Sequence, residues 1–138
     1  MSVQTQIEAA RAGRITPEVA AVAASERIPE DVLRDAVASG RVVIPANRHH
    51  AGLEPMGIGR MLRTKVNANI GNSALTGGLP DELLKLRVAL EYGADTVMDL
   101  STGPEAHAIR RRILAACPRP VGTVPIYQAV ADVEEAAD

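Results

Sequence analysis

Asn69, Met98 and Tyr127 stand at equal steps of 29 positions along the chain, and on one surface they would form a site for a small polar heterocycle. A carboxamide both donates and accepts hydrogen bonds, a phenol borders a ring while its hydroxyl reaches a polar edge, and a thioether supplies an adaptable apolar wall. The same step carries Ala68 to Val97 to Ile126 and Val66 to Asp95 to Val124. The first of these segments, Lys65 to Ser73, alternates: Lys65, Asn67 and Asn69 fall on one face of a strand, and Val66, Ala68 and Ile70 on the other. Three polar side chains on an inward face cost several kcal/mol if left unpaired. A polar ligand cavity is the economical reason for them.

Other chemically capable residues have blander readings. Asn69 and Asn72 bracket Gly71, where turn chemistry alone is the default. Asp99 has the opposite parity to Met98 and is placed to cap the turn Ser101-Thr102-Gly103. His107 belongs on a helix exterior. His49 and His50 are adjacent in an extended loop, so their side chains diverge, and no third ligand is spaced to join them in holding a metal. Arg110-Arg111-Arg112 fans out over different faces of a helix and reads as a solvated surface rather than a phosphate site. The single cysteine, Cys117, can form neither an internal disulfide nor a metal site by itself, which suits a reducing compartment. No Ser-His-Asp set, phosphate-binding glycine loop or metal-spaced cysteine cluster is present.

The elements that must position these residues follow from periodicity. Val3, Ile7 and Ala10 are spaced for a short helix closed by Gly13, Thr16-Pro17-Glu18 opens a second, and Pro29-Glu30-Asp31 begins a third, with Val32, Leu33, Ala36 and Val37 as its stripe and Gly40 at its end. Val42 to Ile44 is a short strand stopped by Pro45. Residues 1–45 thus form a helical appendage, to be packed on the main fold or on another subunit, and 46–63 a long loop. From 64 to 138 the pattern is strand and helix in turn. Strands are expected near 65–70, 95–100 and 121–126, with helices from Pro80 to Tyr92 and from Pro104 to Ala116, the latter burying Ala108, Ile109 and Ile113. A further helix is expected to begin at 129. Eight-unit barrels of parallel strands use about 31 residues per unit. The 29-residue step therefore predicts an α/β fold: a helical appendage followed by the first three βα units of a TIM-like (β/α)8 barrel, incomplete in this chain, with Asn69, Met98 and Tyr127 at the strand ends where such barrels keep their sites.

Composition sets outer bounds. A chain of 138 residues with 46% hydrophobic content, two Tyr and neither Phe nor Trp must build its core from aliphatic residues, as helices on a parallel sheet do. A net charge of −2 carries no signal for nucleic acid or membrane surface, and the mixed, charged N-terminal stretch lacks the apolar core of a leader. The expected location is cytoplasmic.

Five segments carry a family resemblance over about residues 40 to 130: 40–47 (GRVVIPAN), 53–56 (LEPM), 65–73 (KVNANIGNS), 93–103 (GADTVMDLSTG) and 121–129 (VGTVPIYQA). Together they resemble the phosphomethylpyrimidine synthase (ThiC) family of thiamine biosynthesis. The resemblance implies a radical S-adenosylmethionine enzyme in which a four-iron four-sulfur cluster cleaves the cofactor and aminoimidazole ribotide is rearranged into the pyrimidine phosphate. It also implies zinc, a homodimer in the full-length enzyme, and a barrel whose substrate-binding Asn, Met and Tyr match Asn69, Met98 and Tyr127. The family's cluster cysteines, zinc histidines and phosphate loops match no position here, so no cofactor or metal ligand is expected in this chain. Two alternatives are a relative that makes 5-hydroxybenzimidazole for cobamides from the same substrate, and a non-catalytic half-barrel binding module. Three strands with open edges are expected to be marginal or associated on their own.

Overall fold

The computed structural model describes residues 5–73, 77–102 and 105–135, arranged as two compact units. Val3, Gly103, Pro104 and residues 136–138, used in the readings above, lie outside the described residues.

The first unit comprises Met1–Arg48 and Glu54–Thr64. Helix α1 (Gln6–Arg11) starts in a capping box: Glu8 N–H donates to Thr5 Oγ1 at 3.3 Å and Thr5 N–H to Glu8 Oε2 at 2.8 Å. The Thr5 N–H, joined by the Thr5 hydroxyl donating to the same Oε2 at 2.8 Å, holds the Glu8 carboxyl below its ordinary range. Helix α2 (Pro17–Glu26) is capped by Thr16, which accepts from Val19 N–H at 3.1 Å and donates to Gln6 Oε1 at 2.6 Å, so one hydroxyl joins the starts of two helices. Helix α3 (Glu30–Ala38) has acids in its first turn, where the helix dipole favours them. Val19, Val22, Leu33, Val37, Val42 and Ile44 form the core of this unit. Val32, expected in the buried stripe, is exposed instead, because the inward arc of α3 is centred on Leu33, Ala36 and Val37.

Strand β1 (Val42–Val43) pairs antiparallel with β2 (Ile58–Gly59). β2 lies within 46–63, read above as loop throughout. Two residues are too few to show an alternation, and the pairing depends on a glycine: a Cβ at Gly59 would meet Arg41 O at 2.3 Å.

The second unit, His49–Leu53 with Lys65–Asp138, contains three strands, β3 (Asn67–Ile70), β4 (Thr96–Asp99) and β5 (Val121–Thr123), parallel and in sequence order. Helix α4 (Leu79–Glu91) connects β3 to β4, and α5 (Ala106–Ala116) connects β4 to β5. Ile70 and Val97 of the sheet pack with Leu86, Ile109, Ile113 and Cys117, so the apolar parity faces the helices as alternation requires. Ala108 is exposed rather than buried; Ala106 takes the inward position. The architecture is α/β with a small parallel sheet. Among the described residues no helix is long and apolar enough to cross a membrane.

The first 29-residue step is met residue for residue: Ala68 pairs with Val97, and Asn69 with Met98. The second is not. Val97 pairs with Val121 and Met98 with Gly122, a step of 24. Pro118 and Pro120 bring the chain quickly from the end of α5 into β5, and Pro125, which cannot donate to a strand ladder, stands at the start of helix α6 (Pro125–Glu135). The strand expected to run to Ile126 therefore ends at Thr123, and the helix expected from 129 begins four residues earlier. Tyr127 is a first-turn helical residue, its N–H donating to Val124 O at 3.1 Å.

Candidate substrate site

The sheet face turned away from α4 and α5 carries Asn67 and Asn69 from β3, Thr96 and Met98 from β4 and Gly122 from β5. Both asparagines are exposed and Met98 is half-buried. They form a short polar ladder: Thr96 Oγ1 donates to Asn67 Oδ1 at 2.8 Å, and Asn67 Nδ2 donates to Asn69 Oδ1 at 2.8 Å. The ladder orients the Asn69 amide, whose NH2 has no partner among the described residues and can donate to a ring nitrogen or ribose oxygen. Met98, the direct cross-strand neighbour of Asn69, lies over Gly122, where an added Cβ would meet its sulfur at 3.0 Å. The structure thus brings Asn69 and Met98 together. Tyr127 is placed at the same C-terminal end of the sheet by a different route, five positions beyond Gly122 on α6, with its side chain partly exposed.

Behind that edge lies a layer of buried polar groups. Asp99 is fully buried; its Oδ1 accepts from Ser101 N–H at 3.0 Å and Ser101 Oγ at 2.6 Å, the turn-capping role its parity predicts. Its Oδ2 accepts from Arg110 Nε at 2.9 Å. Arg110 is therefore an ion-pair partner of the strand end, while Arg111 and Arg112 are the solvated residues expected of the whole basic run. Asn72 N–H donates to Ser101 Oγ at 3.2 Å and Asn72 O accepts from Thr102 N–H at 3.0 Å, which ties the β3 and β4 ends together.

Two further buried polar groups escaped the sequence reading. Glu82 is fully buried, accepting from Gly71 N–H at 2.8 Å and from Lys85 Nζ at 2.6 Å. Its signal was present in the pattern, since Glu82 shares the inward stripe of α4 with Leu79, Leu83, Leu86 and Leu90. A charge on such a stripe needs a partner. His50 is buried with its Nε2 2.7 Å from Cys117 O. A ring nitrogen facing a carbonyl oxygen must be the protonated one, so His50 pins residues 49–53 to the end of α5. Nothing in the local sequence announces that.

A family model described as the radical SAM ThiC family matches residues 5–138. The chain belongs to this family. Among curated relatives it is similar to the phosphomethylpyrimidine synthases of two Halobacterium salinarum strains, ATCC 29341 / DSM 671 / R1 and ATCC 700922 / JCM 11081 / NRC-1, at 54% identity over 136 residues in each case. The match takes in 99% of this chain and 29% of either relative, so the chain spans less than a third of their length.

Radical SAM chemistry needs an iron-sulfur cluster, and the ThiC chain described here does not offer the donor set for one. It has one cysteine, and among the described residues no three His, Cys, Asp or Glu side chains gather to hold a metal. Cys117 itself is buried, with Sγ donating to Arg119 O at 3.4 Å, and burial pushes its thiol above the ordinary range. The thiolate is the reactive form. Iodoacetamide at pH 8 should accordingly modify the native chain far more slowly than the urea-unfolded one, as followed by mass spectrometry. Equal rates would mean that the α5 to β5 connection is open in solution.

Proposed function

We propose that this ThiC chain carries part of the substrate site of a phosphomethylpyrimidine synthase, the enzyme that converts 5-aminoimidazole ribotide into 4-amino-2-methyl-5-(phosphomethyl)pyrimidine in thiamine biosynthesis. Asn69 and Tyr127 hydrogen-bond the imidazole and ribose edges, and Met98 forms the apolar wall beside the ring. The three βα units are the opening portion of a (β/α)8 barrel. The S-adenosylmethionine, the four-iron four-sulfur cluster and the zinc are held by residues outside this chain, in a cytoplasmic homodimer acting on a small molecule rather than on nucleic acid or membrane.

The observation that supports this most is the juxtaposition of Asn69 and Met98, in register on an uncovered polar face, in a chain 54% identical to curated synthases. The pyrimidine product in both relatives' names favours it over the benzimidazole alternative. The same face could serve a binding module; what separates the two is whether the residues discriminate aminoimidazole ribotide.

The test is a titration of aminoimidazole ribotide into a chimera in which this chain replaces the matching 136-residue segment of the Halobacterium salinarum relative. Asn69→Ala and Tyr127→Phe should each cost about 0.5–1.5 kcal/mol of binding, the value of one net hydrogen bond. Met98→Leu should be milder, because volume is nearly kept. Val97→Ala, on the helix-facing parity, should lower the melting temperature and leave affinity in the folded fraction unchanged. Unchanged affinity in both Asn69→Ala and Tyr127→Phe would remove the shared-site reading. The chain alone, with its single thiol, should not cleave S-adenosylmethionine after anaerobic reconstitution with iron and sulfide; cleavage would show that the cluster site lies within it.

A further inference from the structure

We propose that Arg110 is a positioning residue that anchors α6, and with it Tyr127, to the C-terminal end of β4. The inference rests on the substrate-site reading for its functional consequence, but its structural basis is separate.

Among the described side chains of helix α6, Ile126, Tyr127, Val130 and Val133 are 63%, 43%, 50% and 70% exposed, and none belongs to the core cluster of its unit. The contacts that tie these residues to the sheet are polar. Gln128, half-buried, accepts through Oε1 from Arg110 Nη1, and its amide nitrogen faces the His107 ring one turn earlier on α5. The same guanidinium donates from Nε to Asp99 Oδ2 at 2.9 Å. Asp99 is immovable, since its other oxygen is taken by both donors of Ser101, and Ser101 Oγ in turn accepts from Asn72 at the end of β3.

One planar fork thus spans two acceptors, a buried carboxylate in the sheet and an amide oxygen on the helix. Asp99 follows Met98 and Gln128 follows Tyr127 in sequence, so the fork fixes the neighbours of two proposed substrate residues at once. Arginine can do this because Nε and Nη donate in fixed divergent directions; lysine offers one mobile point charge. Lys at 110 could neutralise Asp99 or reach Gln128, but it would not hold the two in a defined relation.

That difference gives the test. The chain has two tyrosines, and Tyr92 is 85% exposed at the C-cap of α4, so in a Tyr92→Phe background Tyr127 is the sole strong fluorophore. Arg110→Lys keeps the charge beside Asp99, and Gln128→Leu leaves the ion pair intact, so neither strips the sheet of its compensation. Both should lower the fluorescence anisotropy of Tyr127 while the amide signals of β4 and α5 stay in place. Gln128→Glu, which restores an acceptor for the guanidinium, should return the anisotropy. In the chimera, Arg110→Lys and Gln128→Leu should weaken aminoimidazole ribotide binding about two- to tenfold, as the loss of one hydrogen bond does. Anisotropy unchanged in both variants would overturn the anchoring. If Tyr127→Phe weakened binding and these two did not, positioning would be refuted and the substrate reading kept. If Tyr127→Phe had no effect, Tyr127 would drop out of the substrate site and the anisotropy would decide the anchoring by itself.

Discussion

Lys85→Met should destabilise the sheet-containing unit by about 3 kcal/mol, the low end of the range for breaking a buried ion pair by removing one partner. The low end applies because Lys85 is 46% exposed, whereas the Glu82 side chain it meets at 2.6 Å is fully buried. Removing the lysine leaves the carboxylate with Gly71 N–H as its partner and no compensating cation. Glu82→Gln should cost less, about 1–2 kcal/mol, because the freed ammonium can turn to water and the amide oxygen can still accept from Gly71. The order of the two variants in urea unfolding is therefore diagnostic. If Glu82→Gln proved the more damaging, the carboxylate would matter through its shape and bonds, and charge compensation would be secondary.

Gly71→Ala should be at least as damaging, for two reasons that act together. Gly71 has φ +150, a conformation that L side chains rarely adopt, and a Cβ there would sit 2.7 Å from both Leu100 C and Ser101 N. These are backbone atoms, fixed by the bonds of Leu100 N–H to Ile70 O at 2.8 Å and Thr102 N–H to Asn72 O at 3.0 Å, so no side chain can swing away to make room. Strain of this kind costs about 1–3 kcal/mol, and overpacking about as much again. The expected total is roughly 3 kcal/mol or more. Amide exchange should show the loss first at the paired ends of β3 and β4, where Asn69 and Met98 meet. Uniform loss across the unit, with those ends no worse than the rest, would contradict the mechanism.

How much of this could be read from residues alone varied from element to element for physical reasons. The register of β3 against β4 was recoverable because alternation marks both strands and one regular helix of 13 residues separates them. The register of β4 against β5 was not, because the length of a connection is set by where prolines stop and start elements. Pro118, Pro120 and Pro125 shortened the second step by five residues, an odd number, so the parity extrapolated for the third strand is reversed: Val121, in register with Val97, packs toward the helices, and Gly122 takes the face of Met98. Tyr127 consequently reaches the same end of the sheet as a helical residue. Asp99 as a turn cap was readable from parity and a neighbouring Ser-Thr-Gly. The partnership of Asp99 with Arg110 was not, since a three-arginine run looks solvated until one of its members is found facing a buried carboxylate. Glu82 could have been found as a lone charge among leucines. His50 could not, because its partner is a main-chain carbonyl 67 positions away.

Gly122 has a consequence for how such a chain can drift. Because any side chain at 122 would press on Met98 at its sulfur and terminal methyl, both about 3 Å away, and because that thioether is flexible enough to yield, a replacement there is absorbed by a change of rotamer on the open face and not by the backbone. Mutations at 122 should therefore be accepted by the fold and felt by whatever occupies that face. In a deep mutational scan, positions 98 and 122 should depend on each other's identity, while pairs on the helix-covered side, such as Val97 and Ile113, should trade only in volume.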